Sequence, residues 1–359
     1  MPTFSGVLNP NKIQSALFNM IISQDVIGGS IKANYNLVDK ARVDGTLYGD
    51  TKLYIDCPTV DSYAWEPDTE DSLNVLAIKR PGAPKTQAIT MGVYRQCMIT
   101  KDDYLSKQAF GTEGAFVQYQ SIIEARLPKS KEVYENTTYN AFFGTVEGAH
   151  AAVEVALSDI AATGVEKTRL EAEMIAQAVA DLIADMKDYG YDYTKNGFLR
   201  AFSEDEIQVV WNVKFLNKIR KISLPNIYHK ENLIDKFGGE SLPARFFGEV
   251  KTTATEAGDN DGTLRALVEK DYVVGGVTKH VMAGSLIPAG VAVAADEAYV
   301  EDEDVICKVY TKLPPMMSAF SVGTSFFNAK NLSSNSYLTW GHNKLEALDS
   351  EAIVTVHAD

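Results

Sequence analysis

Cysteine is nearly absent: Cys57, Cys97 and Cys307 are the three in 359 residues, an odd number with no CxxC pair. That argues against a disulfide framework and against a structural zinc site. No stretch approaches the roughly 20 consecutive apolar residues of a membrane-spanning helix, and the N-terminus lacks a basic segment followed by an apolar run. Positive charge is also short, with 34 basic against 48 acidic side chains and a formal net charge of −14. A partner bound through many phosphate contacts calls for clustered Lys and Arg, so nucleic-acid recognition is not indicated. The tightest basic group, Lys214, Lys218, Arg220 and Lys221, reads as a solvated strand or loop face. What remains is an ordinary globular composition, 45% hydrophobic and 23% charged, in a chain suited to a reducing cytoplasm.

The motifs of common chemistries are missing as well. The phosphate-binding pattern GxxxxGK[ST], the dinucleotide pattern GxGxxG and the hydrolase pattern GxSxG do not occur. Among His150, His229, His280, His342 and His357 no pair has the i, i+4 spacing of a helical zinc site. The segment GDNDG places Asp259 and Asp261 as in half of a calcium loop, but Leu264 then stands where the loop needs Gly and Lys270 where it needs Glu, so a plain turn is expected. The carboxylates Asp296, Glu297, Glu301, Asp302, Glu303 and Asp304 read as a solvated acidic loop. Cys307, inside the apolar run VICKVY, reads as a small buried side chain. No catalytic, cofactor-binding or metal residue is assigned.

The hydrophobic pattern predicts an α+β chain. Asn9 and Pro10 open a short amphipathic helix to Gln24, with Ile13, Leu17, Phe18 and Ile21 on one stripe. From Tyr35 to Met98 the pattern is extended, with strand runs Leu53–Ile55, Val75–Ile78 and alternating Ile89, Met91 and Val93 around an acidic tip of Glu66, Asp68, Glu70 and Asp71. A hairpin with so few large apolar residues cannot form its own core and must lean on something else. From Thr112, Tyr119, Ile122, Ile123 and Leu127 predict a long helix, bent or restarted near Pro128 and stopped at Gly144. Alanine content predicts another helix over Ala149–Ala162. Thr163 and Glu166 then fit a capping box ahead of Leu170, Met174, Ala178, Leu182 and Met186, a helix ended by Gly190. Ile207–Trp211, Ile219–Ile222, Val273–Val281 and Val305–Val309 read as strands, and the aromatic C-terminal segment, with Phe326, Phe327, Trp340 and Val356, as docked.

This order of elements resembles the Hong Kong 97 fold of tailed-bacteriophage major capsid proteins. The segments NKIQSALFNMIIS (Asn11–Ser23), VDGTLYGDTKLY (Val43–Tyr54), ITKDDYLSKQAF (Ile99–Phe110), LPNIYHKENLIDKFG (Leu224–Gly238) and SVGTSFFNAKNL (Ser321–Leu332) are similar to those of phages of Gram-positive hosts. The resemblance implies an N-terminal arm over 1–34 and an extended loop over 35–98. A peripheral domain with a spine helix over 99–162 and an axial domain over 163–316 would follow, then a return to the peripheral domain over 317–359. It implies a structural subunit, not an enzyme, that forms hexamers and pentamers of a virion shell assembled in the bacterial cytoplasm. The shell would enclose double-stranded DNA without sequence-specific binding or membrane contact. A separate scaffolding protein is implied, because the chain leaves no room for a cleavable scaffolding segment, and a portal ring, a decoration protein and a protease encoded elsewhere are the other implied partners. The family's lysine–asparagine cross-link is not carried over: Lys52, Lys79 and Lys85 are present in the loop, but no acceptor or catalytic carboxylate is recognised. An encapsulin-like shell around protein cargo and an α+β cytoplasmic enzyme are the alternatives.

Overall fold

A computed structural model describes residues 34–44, 51–62, 78, 80–102, 113–221 and 240–359. The helix expected at Asn9–Gln24, the acidic tip at Glu66–Asp71, the start of the Val75–Ile78 run, Lys79 and the Leu224–Gly238 segment with His229 lie outside the described residues.

The elements run α1 (Val38–Ala41), β1 (Arg42–Asp44), β2 (Thr51–Asp56), β3 (Lys85–Asp102), α2 (Glu113–Thr145), β4 (Val153–Val155), α3 (Gly164–Lys187), β5 (Gln208–Asn212) and α4 (Val213–Lys221). Then come β6 (Glu240–Leu242), β7 (Gly248–Val250), β8 (Arg265–Ala266), β9 (Lys270–Val274), β10 (Val277–Val281), β11 (Ala298–Glu301), β12 (Val305–Tyr310), β13 (Met316–Asn328), β14 (Ser333–Asn343) and β15 (Ile353–Ala358). Helices and sheets are both substantial, as the α+β reading requires.

Two five-stranded sheets organise the chain. The first has the order β1-β13-β14-β3-β2. In it β2 pairs with the start of β3, Thr51 opposite Thr90 through Asp56 opposite Lys85, and β14 pairs with the rest of β3. The hairpin stem does lean on other elements: Ile89 is buried with Met317 and Leu348, and Tyr54 and Met91 pack alongside.

The second sheet, β4-β15-β12-β5-β6, lies between helices. Val209, Trp211, Cys307, Val309, Val354 and Val356 face α3 and α4, meeting Ile175, Val179, Leu182 and Met186 and then Phe215 and Leu216. The alternate residues Val210, Tyr310 and Ile353 meet Tyr139 and Phe143 of α2. The two-residue period of the strands thus divides the apolar core between two helical layers. A three-stranded sheet, β7-β11-β8, and the β9–β10 hairpin complete the fold around a smaller cluster that includes Tyr272, Ile287 and Val293.

Several local expectations are corrected. The long helix is one element through Pro128, so it does not restart there, and it ends at Thr145, one residue past the expected Gly144. Gly144 is required for contact rather than termination, since a Cβ there would meet the Phe246 carbonyl oxygen at 2.0 Å. Ala149–Ala162 is not helical: Val153–Val155 joins the second sheet as a parallel edge strand on β15. Pairing with a buried strand outweighs the helix propensity of the flanking alanines, which alone amounts to tenths of a kcal/mol per residue. Ile219 belongs to helix α4 instead of a strand. The helix after Thr163 is present, but the Thr163 side chain makes no cap hydrogen bond; Glu166 pairs with Arg169 instead. That helix ends at Lys187, and Gly190 exchanges backbone hydrogen bonds with Arg200 beyond it.

Candidate functional site

The reactive side chains are scattered, and the described histidines are occupied by structural contacts. His150 stacks on Tyr193 at 4.9 Å, and His280 sits 2.6 Å from Asp271 and 3.1 Å from Glu269. His357 lies 3.3 Å from Asp302. Cys57 is exposed, Cys97 half-buried and Cys307 buried; burial pushes the Cys307 thiol up, away from the thiolate a nucleophile needs. Among the described residues no group of three or more His, Cys, Asp or Glu is placed to hold a metal ion.

The segments singled out in the sequence resolve into turns and ion pairs. In GDNDG, Asn260 is buried and donates to the carbonyls of Pro288 and Val291, while Asp261 accepts from the backbone and hydroxyl of Thr263. These bonds use the side-chain oxygens and amide for turn closure. The acidic run meets cations from distant strands and helices: Glu297 with Lys270, Glu301 with Arg265 and Glu303 with Lys214. Lys218 pairs with Glu171 across the two helices of one layer. The basic group therefore lies on α4 rather than on a strand, with two of its lysines in ion pairs. A groove of about 400 Å³ between β4 and α3 is lined by Leu170, Met174 and Ala178 and by the carboxylates of Glu154, Glu173 and Asp181, with no histidine or nucleophile.

Two polar constellations hold the long sheet in place. At the first, Tyr134 of α2 stands edge-on to Trp340 of β14 at 5.8 Å. The Asn343 carbonyl lies 2.7 Å from His342 Nδ1, which must therefore be the protonated nitrogen, leaving Nε2 to accept from the Tyr134 hydroxyl at 2.9 Å. Arg95 of β3 donates to the Tyr134 oxygen at 3.2 Å and to the Glu269 carbonyl at 2.9 Å. Burial, with a further push from the Arg95 cation, holds the His342 ring below the usual histidine range.

The second constellation grips the hairpin stem where the chain departs toward residue 57 and returns at residue 85. The buried Asp56 carboxylate accepts from Arg200 and, at 2.6 Å, from Asn196. Lys85 donates to the Asn196 carbonyl at 2.8 Å and lies over the Phe198 ring. Gln87 bridges the Ala347 carbonyl and the Asp349 amide. Of the loop lysines, Lys85 is thus committed to the stem, and Lys52 lies over Tyr54 at 5.8 Å. Apart from the loop lysines, none of these residues was marked by the sequence: Asp56 and Arg200 are 144 positions apart, and no local pattern links them.

The arrangement positions a sheet and a hairpin, with buried polar groups serving as fasteners. No protein-family model matches the chain, and no curated protein does. Solved structures match over nearly its whole length. A chain of the capsid structure of Staphylococcus phage Andhra aligns with a TM-score of 0.61 and 11% sequence identity, covering 95% of this chain and 88% of that one. A chain in the structure of the head fiber and inner core protein of native bacteriophage P68 aligns with a TM-score of 0.60 and 10% identity, covering 94% and 88%. Geometry is shared where sequence is not: the polypeptide has a phage-capsid fold.

Proposed function

We propose that this chain is the major structural subunit of a phage head, assembling into the hexamers and pentamers of a shell around double-stranded DNA. The observation that carries the reading is the shared fold, which extends over 95% of this chain and 88% of a chain from a phage capsid structure. The division into arm (1–34), extended loop (35–98), peripheral domain (99–162 and 317–359) and axial domain (163–316) belongs to the same proposal. So do a virion location and the partners: further copies of itself, a separate scaffolding protein, a portal ring and a decoration protein.

Two physical features support it. The hairpin stem exposes Leu53 and Ile55 by more than half while its root is fixed by buried polar contacts, the arrangement expected of an arm directed at a neighbour. The net charge of −14 disfavours adhesion of DNA to a wall made of this chain.

Purified chain, alone and with the scaffolding protein encoded nearest its gene, should give closed shells or five- and six-membered rings by negative-stain electron microscopy and light scattering. A stable monomer or dimer under both conditions overturns the reading. Shells that retain protein cargo instead of DNA would make it a cargo container. Deleting Val60–Val75 should abolish shells while leaving a soluble subunit, provided the loop supplies the roughly 1,000 Å² of a specific contact. Normal shells from that deletion would remove the loop from the assembly contacts.

A further inference from the structure

Helix α3 carries two neighbouring stripes on its flank toward β4. Leu170, Met174 and Ala178, four residues apart, form an apolar one, and Met174 and Ala178 sit at the margin of the core beneath. Glu173 and Asp181 lie beside them, with Gln177 between. Glu154 of β4 stands on the opposite wall. The result is an open groove of about 400 Å³ with an apolar floor and carboxylates on both sides. Because β4 is the outermost strand of its sheet, no further strand among the described residues closes the groove.

These carboxylates differ from two others on the same helix. Glu166 is bound to Arg169 and Glu171 to Lys218. Glu154, Glu173 and Asp181 have no cation within ion-pair distance among the described residues. Asp181 has only the Gln177 amide, at 3.3 Å. Three negative charges therefore border apolar surface with nothing set against them, and a low-dielectric wall strengthens their common field.

We infer that the groove seats a cationic amphipathic helix of a different protein. Its apolar stripe would lie on Leu170, Met174 and Ala178, with Lys or Arg residues against Glu154 on one side and Glu173 and Asp181 on the other. The inference goes beyond the shell reading and stands on the groove alone. Charge selects the partner: the carboxylates repel nucleic-acid phosphates, and a second copy carrying −14 is disfavoured at an already negative site. Shape selects the helix. From Leu170 to Asp181 the groove follows α3 for about 16 Å, three helical turns, and a helix laid alongside presents apolar anchors at the matching spacing of three and four residues. An added strand would find only the three residues of β4 to pair with. The flexible thioether of Met174 adapts to the side chains it meets.

The test titrates the full chain into a fluorescein-labelled helical peptide of about 16 residues, in which one stripe of leucines is flanked on both sides by lysines. Fluorescence polarisation should show binding at least 10-fold tighter than for two control peptides, one with the leucines changed to serine and one with the lysines changed to glutamate. The variant Glu154→Gln, Glu173→Gln, Asp181→Asn should keep the parent melting temperature and bind at least 10-fold more weakly. The variant Asp205→Asn, Glu249→Gln, Glu256→Gln, which makes the same change in net charge outside the groove, should bind within about 2-fold of the parent. Photo-activated p-benzoylphenylalanine in place of Gln177 should cross-link to the peptide. Equal weakening by the two triple variants, or equal binding of the serine peptide, reduces the attraction to net charge and overturns the inference. A change in sedimentation of the chain alone on neutralising the groove would assign it to a second copy and overturn it as well. None of these readouts depends on shell formation, so their failure leaves the shell reading standing.

Discussion

Lys308 lies at the middle of β12, a central strand, with its ammonium 2.6 Å from the Val146 carbonyl just past the end of α2. The contact places a donor at the carbonyl end of the helix, where positive charge is favourable, but burial pulls the side chain down to about 7 from an ordinary 10.5. The unfolded chain therefore takes up the proton first as pH falls. Stability present above about pH 10.5 is lost progressively toward pH 7 and is level below it. Replacing Lys308 with Met should remove that slope and raise stability at pH 7 by about 1–3 kcal/mol, an advantage that shrinks toward pH 10; urea midpoints at the two pH values measure it. His342 works in the same direction at lower pH. Its ring is held neutral, below the unfolded value of about 6.5, so its contribution is whole above that value and is lost as pH falls through the lowered one. The His342→Gln variant should lose less stability between pH 7.5 and 5 than the parent; an equal loss would detach the tyrosine–histidine junction from acid sensitivity.

At the scale of elements, packing is decided by close approach and by a few long-range polar ties. The contact of α2 with the turn at Phe246 leaves no room for a Cβ at position 144. Gly144→Ala should lower stability by about 1–3 kcal/mol through overpacking, read as a lower melting temperature. The stem of β2 and β3 is held to the loop containing Asn196 and Arg200 by Asp56. Removing the cation with Arg200→Ala leaves the carboxylate buried without its charge partner, at a cost of about 2–3 kcal/mol, below the full buried-pair value because Arg200 is 35% exposed. Hydrogen exchange should then rise in Thr51–Asp56 and the paired part of β3 while α3 and β12 stay protected. Uniform loss of protection would show that the stem contact supports the whole fold instead of the hairpin.

At the scale of the whole molecule, the chain carries a large negative charge, −14. Assembly of like-charged copies is opposed by repulsion that salt screens over about 8–10 Å at 0.1–0.15 M. Raising salt from low to moderate ionic strength should therefore shorten the lag and raise the yield of assembly measured by light scattering. Strict decline with salt would point to attractive ion pairs across the contacts.

The sequence by itself determined the strongly periodic elements: the long helix carrying Tyr134 and Tyr139, the helix from Leu170 to Met186, and the strands at Ile207–Trp211 and Val305–Val309. Their burial faces repeat within a few residues, so composition and spacing suffice. Tertiary structure decided what no local window contains. Val153–Val155 became a strand because β15 offered a parallel edge, and α4 formed where an isolated reading of Ile219 favoured a strand. The Asp56–Arg200 and Tyr134–His342 contacts join positions 144 and 208 residues apart. The shared faces of β2, β3, β13 and β14 exist only once these strands are set in register, because register alone determines which alternate residues of separate strands share a surface.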